Sequence, residues 1–135
     1  MRPALPLCFL VLLLTACGAA PRDSAKEFKG AERAVAAAVE DLESAAREND
    51  SGVVCTKLLA ERLLATLEEQ GTNCATAVKE AFKDADSTDL TVEDVTISGT
   101  TASAKVTSGT GGEKKTDTLE LEKAGAGWRI SSLQA

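Results

Sequence analysis

The sequence predicts an α+β fold, with N-terminal helices packed on a curved antiparallel meander of about four strands. Three observations carry this. Up to about residue 82 the apolar residues recur at three- and four-residue steps, the spacing of one helix face. From Leu90 onward they alternate with polar residues, the spacing of a half-buried strand, and short glycine-bearing loops separate the alternating runs. Ahead of both patterns stands a mainly apolar run, Leu5 to Leu14, that fits neither.

That run reads as a leader. Arg2 supplies a positive start, and the ten residues that follow from Leu5 are too few to cross a bilayer, which takes roughly 20. Leu14-Thr15-Ala16-Cys17, followed by Gly18, resembles the bacterial lipobox, with a leucine three places before a cysteine and small residues between. The resemblance implies diacylglycerol on the Cys17 sulfur as a thioether, cleavage before Cys17, and palmitate-type chains holding the protein at the extracytoplasmic face of the cell membrane. Two acyl chains hold a protein where one binds only reversibly. The alternatives are an ordinary secretory signal cut after Ala16 or Ala20 and an uncleaved anchor. The expected organisation is a lipoprotein signal peptide over 1–16, a tether over 17–23 and one α+β domain over 24–135.

"SAKEFKGAERAVAAAVEDLESAAREND" reads as one long helix. Ser24 and Glu27 have capping-box spacing, and Phe28, Ala31, Val35, Ala38, Val39, Leu42 and Ala46 form an apolar stripe. The pattern stops at Asn49-Asp50-Ser51-Gly52. The second helical stretch presents Cys55, Leu58, Leu59, Leu63, Leu64 and Leu67 inward, and a third begins near Asn73, whose side chain can cap it. Its inward residues are Cys74, Val78, Ala81 and Phe82, and "KDADSTD" (83–89) connects to the strands.

With Cys8 in the leader and Cys17 lipidated, Cys55 and Cys74 remain, outside the reducing cytosol. A disulfide is the natural reading; two buried free thiols are the alternative. The bridge has a geometric consequence. One unbroken helix from Val53 to Gln70 would carry residue 70 about 22 Å from Cys55. Four further residues return at most about 14 Å, which leaves the α-carbons beyond the ~7 Å limit for a disulfide. A bridge therefore requires a helix break, expected around Leu59–Glu61.

In the second half, Leu90, Val92, Val95 and Ile97 mark a strand with a phase slip at Glu93-Asp94, the signature of a bulge. Ala102, Ala104 and Val106 mark the next strand, Leu119 and Leu121 the third, and Trp128 with Ile130 the last. Trp128, alternating with Ile130, reads as core, with ligand stacking as the alternative.

Composition excludes several functions. The formal charge is −6, from 15 basic and 21 acidic residues, and loss of 1–16 takes Arg2 with it to leave −7. Such a surface repels phosphate backbones, so no nucleic acid is expected as a partner. The chain has no histidine, which removes the commonest general base and a common metal ligand. No metal site and no cofactor is expected. "GTGG" (109–112) is a turn that lacks the lysine and helix of a phosphate loop.

The order of elements resembles the cone-shaped nuclear transport factor two-like superfamily, closest to its small secreted or lipid-anchored bacterial members. "CTKLLA", Cys74 and the terminal "WRISSL" carry the likeness, which spans about residues 25–134; the helix-breaking Ser-Pro of the family is Ala60-Glu61 here. The resemblance implies a curled sheet with an apolar cone. Catalytic members use an Asp base with Tyr or His, and this chain has neither Tyr nor His. The expected function is a noncatalytic, lipid-anchored domain that binds a small ligand or an envelope protein. The other readings are a cone-fold isomerase or cyclase using a buried carboxylate, with Glu93, Asp94 or Asp117 as candidates, and a structural envelope-stress lipoprotein. An inward acid in the pocket would favour catalysis, and a cone plugged by Leu and Trp would argue against it.

Overall fold

The computed structural model describes residues 23–85, 89–109 and 112–134. Cys17, the leader 1–16 and all of the tether but Asp23 lie outside the described residues.

The expected long first helix is interrupted. Ser24–Glu27 form a single 3₁₀ turn, Phe28 and Lys29 are extended, and α1 runs over Gly30–Glu48. Gly30 sits at φ +58, in the left-handed region that side chains resist, so the helix does not run through it. Ser24 is consequently not a capping residue. Its hydroxyl donates to Glu40 Oε1 at 3.3 Å and accepts from the Val92 N–H at 3.3 Å, while the Ala25 N–H donates to Glu40 Oε1 at 2.7 Å. The leading turn is thus pinned to both α1 and the sheet. Ala31, expected on the apolar stripe, is exposed, whereas Val35, Ala36, Ala38, Val39 and Ala45 are buried.

α1 ends on Asn49 in the left-handed conformation. A short turn α2 (Ser51–Val53), capped by Asp50 accepting from the Val53 N–H, runs into a π-helical segment over Val54–Leu58 closed by Leu59 N–H to Val54 O at 3.0 Å. Leu59 and Ala60 are extended, and α3 begins at Glu61 and ends at Glu69. The break therefore falls where the disulfide arithmetic requires it. Cys55 and Cys74 are bridged, with their α-carbons 6.1 Å apart. α4 (Cys74–Asp84) is capped by Asn73, whose side chain accepts from the Ala75 and Thr76 N–H groups at 3.0 and 3.3 Å. Asn73→Ala is expected to cost about 1 kcal/mol of unfolding free energy in urea titration, and an unchanged midpoint would discount the cap.

Four antiparallel strands follow in the order of the chain: β1 (Leu90–Ser98), β2 (Thr101–Ser108), β3 (Lys115–Ala124) and β4 (Gly127–Gln134). The register of β1 slips between Val92 and Asp94, the expected bulge at Glu93. A second bulge places Ser131 of β4 outside the pairing between Ile130 and Ser132. Such bulges bend a sheet. The inner face carries Val92, Val95, Ala102, Ala104, Val106, Leu119, Leu121, Trp128 and Ile130, and α1 packs on it. Trp128 is 8% exposed and belongs to this core. Ala102 and Ala104 of β2 and Val35 and Val39 of α1 are all buried in this core.

The extended Leu59–Ala60 segment docks on the outer edge of β4. Leu59 pairs in parallel with Ile130, the Ala60 N–H donates to Ile130 O at 2.8 Å, and Arg129 donates to Leu59 O at 3.3 Å. No proline is needed for the break, because the sheet edge offers the backbone partners that a continuous helix would forgo.

Candidate functional site

An open apolar cleft of about 310 Å³ is lined by residues of the helices and of β1 and β4. Leu42 and Ala46 of α1, Val54 of the π segment and Leu59 of the break form its inner wall. α3 contributes Leu63 and Leu67, one helical turn apart. Ala77, Val78, Ala81 and Phe82 of α4, followed by Ala85, repeat at helical spacing along the opposite wall, and Leu90 and Ile130 supply the sheet side. Among the described residues, every one that lines it is Ala, Val, Leu, Ile or Phe. The disulfide joins the π segment to the first residue of α4, so it holds the two walls at a set separation.

The strand acids singled out from the sequence do not reach this cleft. Glu93 is exposed and accepts from the Thr107 hydroxyl at 2.7 Å, Asp94 is exposed, and Asp117 is half-buried on β3 facing a different cavity. Nor is the cone plugged: Leu121 and Trp128 fill the sheet face, and the cleft stays open beside them.

The buried acid is one that sequence reasoning missed. Glu43 of α1 is 3% exposed, ion-paired to Arg47 one turn on, and Arg47 also reaches Asp89 Oδ1 at 2.7 Å. Burial pushes the Glu43 carboxyl above the ordinary value, while Arg47 and a hydrogen bond from the Leu90 backbone N–H pull it down and Asp89 and Glu40 add to the rise. Its position, one residue off the stripe and flanked by Leu42 and Ala46, reads as solvated on a helical wheel. In the fold it is covered by Arg47 and takes a hydrogen bond from the Leu90 N–H at the start of β1. The group borders the cleft without lining it, and it clamps α1 to the strand that carries Leu90.

No group of three or more His, Cys, Asp or Glu among the described residues is placed to hold a metal ion. No helix among them is long and apolar enough to cross a membrane.

A family model described as "Putative lumazine-binding" matches residues 32–133. Among solved structures the chain is similar to "De novo designed NTF2 fold protein NT-9", with a TM-score of 0.52 and 16% sequence identity over 78% of this chain and 87% of that one. At that identity the likeness speaks for the fold alone, which is the nuclear transport factor two-like α+β cone expected from the sequence. No curated protein matches.

Proposed function

The chain belongs to the family described as "Putative lumazine-binding", and from that premise we propose that it is a noncatalytic small-ligand-binding domain, tethered by lipid on Cys17 to the outer face of a bacterial membrane. The observation that carries the binding reading is the open cleft whose described lining is apolar throughout. A concave apolar surface left open to water favours an occupant that covers it. Among the described residues its lining offers no side chain to donate, accept or carry a proton, which supports binding without chemistry.

The catalytic alternative has one observation in its favour, the raised carboxyl of Glu43. That carboxylate is already engaged by Arg47 and the Leu90 N–H and lies behind the lining. An envelope protein laying apolar side chains into the same cleft is the other reading of its surface.

Binding is tested with 8-anilinonaphthalene-1-sulfonate as the probe. Its fluorescence is expected to rise on adding the protein and to lose most of that rise in Leu67→Glu, a half-buried lining position. No rise, or an equal rise in the variant, would overturn the reading. The tether has its own test. Cys17→Ala is expected to move the protein from the membrane fraction to the soluble one, and mass spectrometry of the native N-terminus is expected to find a diacylated cysteine. Equal membrane retention with an unacylated terminus would remove the anchor.

A further inference from the structure

The apolar cleft continues into a polar neighbour. Ala85, just past α4, and Leu90, at the start of β1, line both the cleft and a second cavity of about 500 Å³. Beyond those two residues its described lining is polar and of mixed charge: Ser108 and Gly109 with Lys114, Lys115, Asp84, Glu113 and Asp117. An apolar chamber and a chamber of mixed charge thus meet at the α4–β1 corner.

We propose that the two cavities form one amphiphile site that takes a single-chain lipid with a zwitterionic head, its tail in the cleft and its head between the lysines and the carboxylates. The proposal rests on the reading of the cleft as a ligand site and names the class of that ligand. The tail is selected by what the lining lacks. A hydrocarbon chain has no hydrogen bonds to lose there, whereas the ring N–H and carbonyl groups of lumazine would be buried without partners. The family's description and this chain's own cleft therefore part company on the ligand. Volume selects one tail, since about 310 Å³ is at the small end of ligand pockets, which run from about 300 to 1,000 Å³. Charge selects the head. Among the described lining residues, two ammonium groups and three carboxylates offer partners of both signs to a zwitterion, while a purely anionic head meets more carboxylates than ammoniums.

The intact chain, purified from membranes into phosphatidylcholine nanodiscs, is incubated with lysophosphatidylethanolamine carrying a diazirine near the end of its acyl chain, irradiated and mapped by mass spectrometry. The expected label falls on peptides holding Leu63, Leu67, Ala81 and Phe82, and drops about tenfold in Ala81→Trp, which fills the cleft from an exposed lining position. Lys114→Glu with Lys115→Glu, both at exposed positions, is expected to lower the same label without touching the cleft. The same tail on anionic lysophosphatidylglycerol is expected to label more weakly than on the zwitterion. Equal labelling by the two heads, or no effect of the lysine pair, overturns the proposal. So does tight, Ala81→Trp-sensitive binding of lumazine in a fluorescence titration with no lipid label in the cleft, an outcome that leaves the ligand-binding reading standing. Absence of the lipid label while the cleft-dependent 8-anilinonaphthalene-1-sulfonate rise persists removes the proposal alone, and absence of both removes that reading with it.

Discussion

Cys55→Ser is expected to lower the unfolding free energy by about 3 kcal/mol, the chain-entropy value for a loop of this size; the bridged residues are 19 apart in sequence. Cys74→Ser is expected to cost the same, and the double variant no more than either single one, because each removes the same cross-link. The loss acts on the unfolded chain first, which gains freedom when the loop opens. It also acts on the folded protein. α4 is held to the rest of the molecule by α2, the π segment and α3, and the bridge ties its first residue to the π segment. Both half-cystines are only half-buried, so serine meets little packing penalty of its own. Urea titration with and without dithiothreitol checks this. Reduction should bring the wild type to the variants and leave the variants where they are, and a wild-type midpoint indifferent to reductant would refute the account.

The second large effect is expected at Arg47. Arg47→Ala leaves Glu43 buried without its cation, a change expected to cost about 2–3 kcal/mol near pH 8, below the full value for a buried pair because the arginine keeps contact with water; its side chain is 33% exposed and that of Glu43 4%. The penalty depends on pH with a definite sign. The folded-state value of Glu43 is raised above the ordinary one of about 4.5, so the folded protein holds that proton more tightly than the unfolded chain does. Its contribution is favourable at pH below about 4.5 and is lost as pH rises from there through the raised folded value. Without Arg47 the folded value rises further, so the variant should suffer little near pH 4 and most near pH 8. Glu43→Gln is the matching control: it keeps the shape, removes the titration and should flatten the dependence across that window. The carboxylates and cations facing the site, Glu40, Asp89 and Arg47, are the same in that control, so the difference isolates Glu43. Chemical denaturation at a series of pH values measures it. An Arg47→Ala penalty independent of pH would show that lost packing, not the stranded carboxylate, is responsible.

Much of the architecture was legible along the chain, and the reasons are local. Alternation at Ala102-Ala104-Val106 and Leu119-Leu121 marks strands because side chains on a strand alternate faces whatever packs above them. The slip at Glu93-Asp94 marks a bulge for the same reason, since two polar residues cannot both continue the alternation. The second bulge left no such trace. Ser131 follows Ile130 and is followed by another serine, and it is buried, so polarity does not betray the extra residue. Gly30 was the available warning that the first helix begins only there, and the capping-box spacing at Ser24 and Glu27 concealed it.

The amino-acid order by itself determined the two periodicities, the antiparallel meander and the need for a break between Cys55 and Cys74, because each follows from spacings and chain reach that no packing can alter. Tertiary structure alone decided what ends the helix, namely the β4 edge that receives Leu59 and Ala60, and which acid is buried, namely Glu43 beside the start of β1. It alone assembled the cleft, whose walls come from three helices, a π segment and two strands far apart in sequence. A residue's own neighbours set its backbone preference, but whether its side chain meets water is set by whatever the fold lays over it.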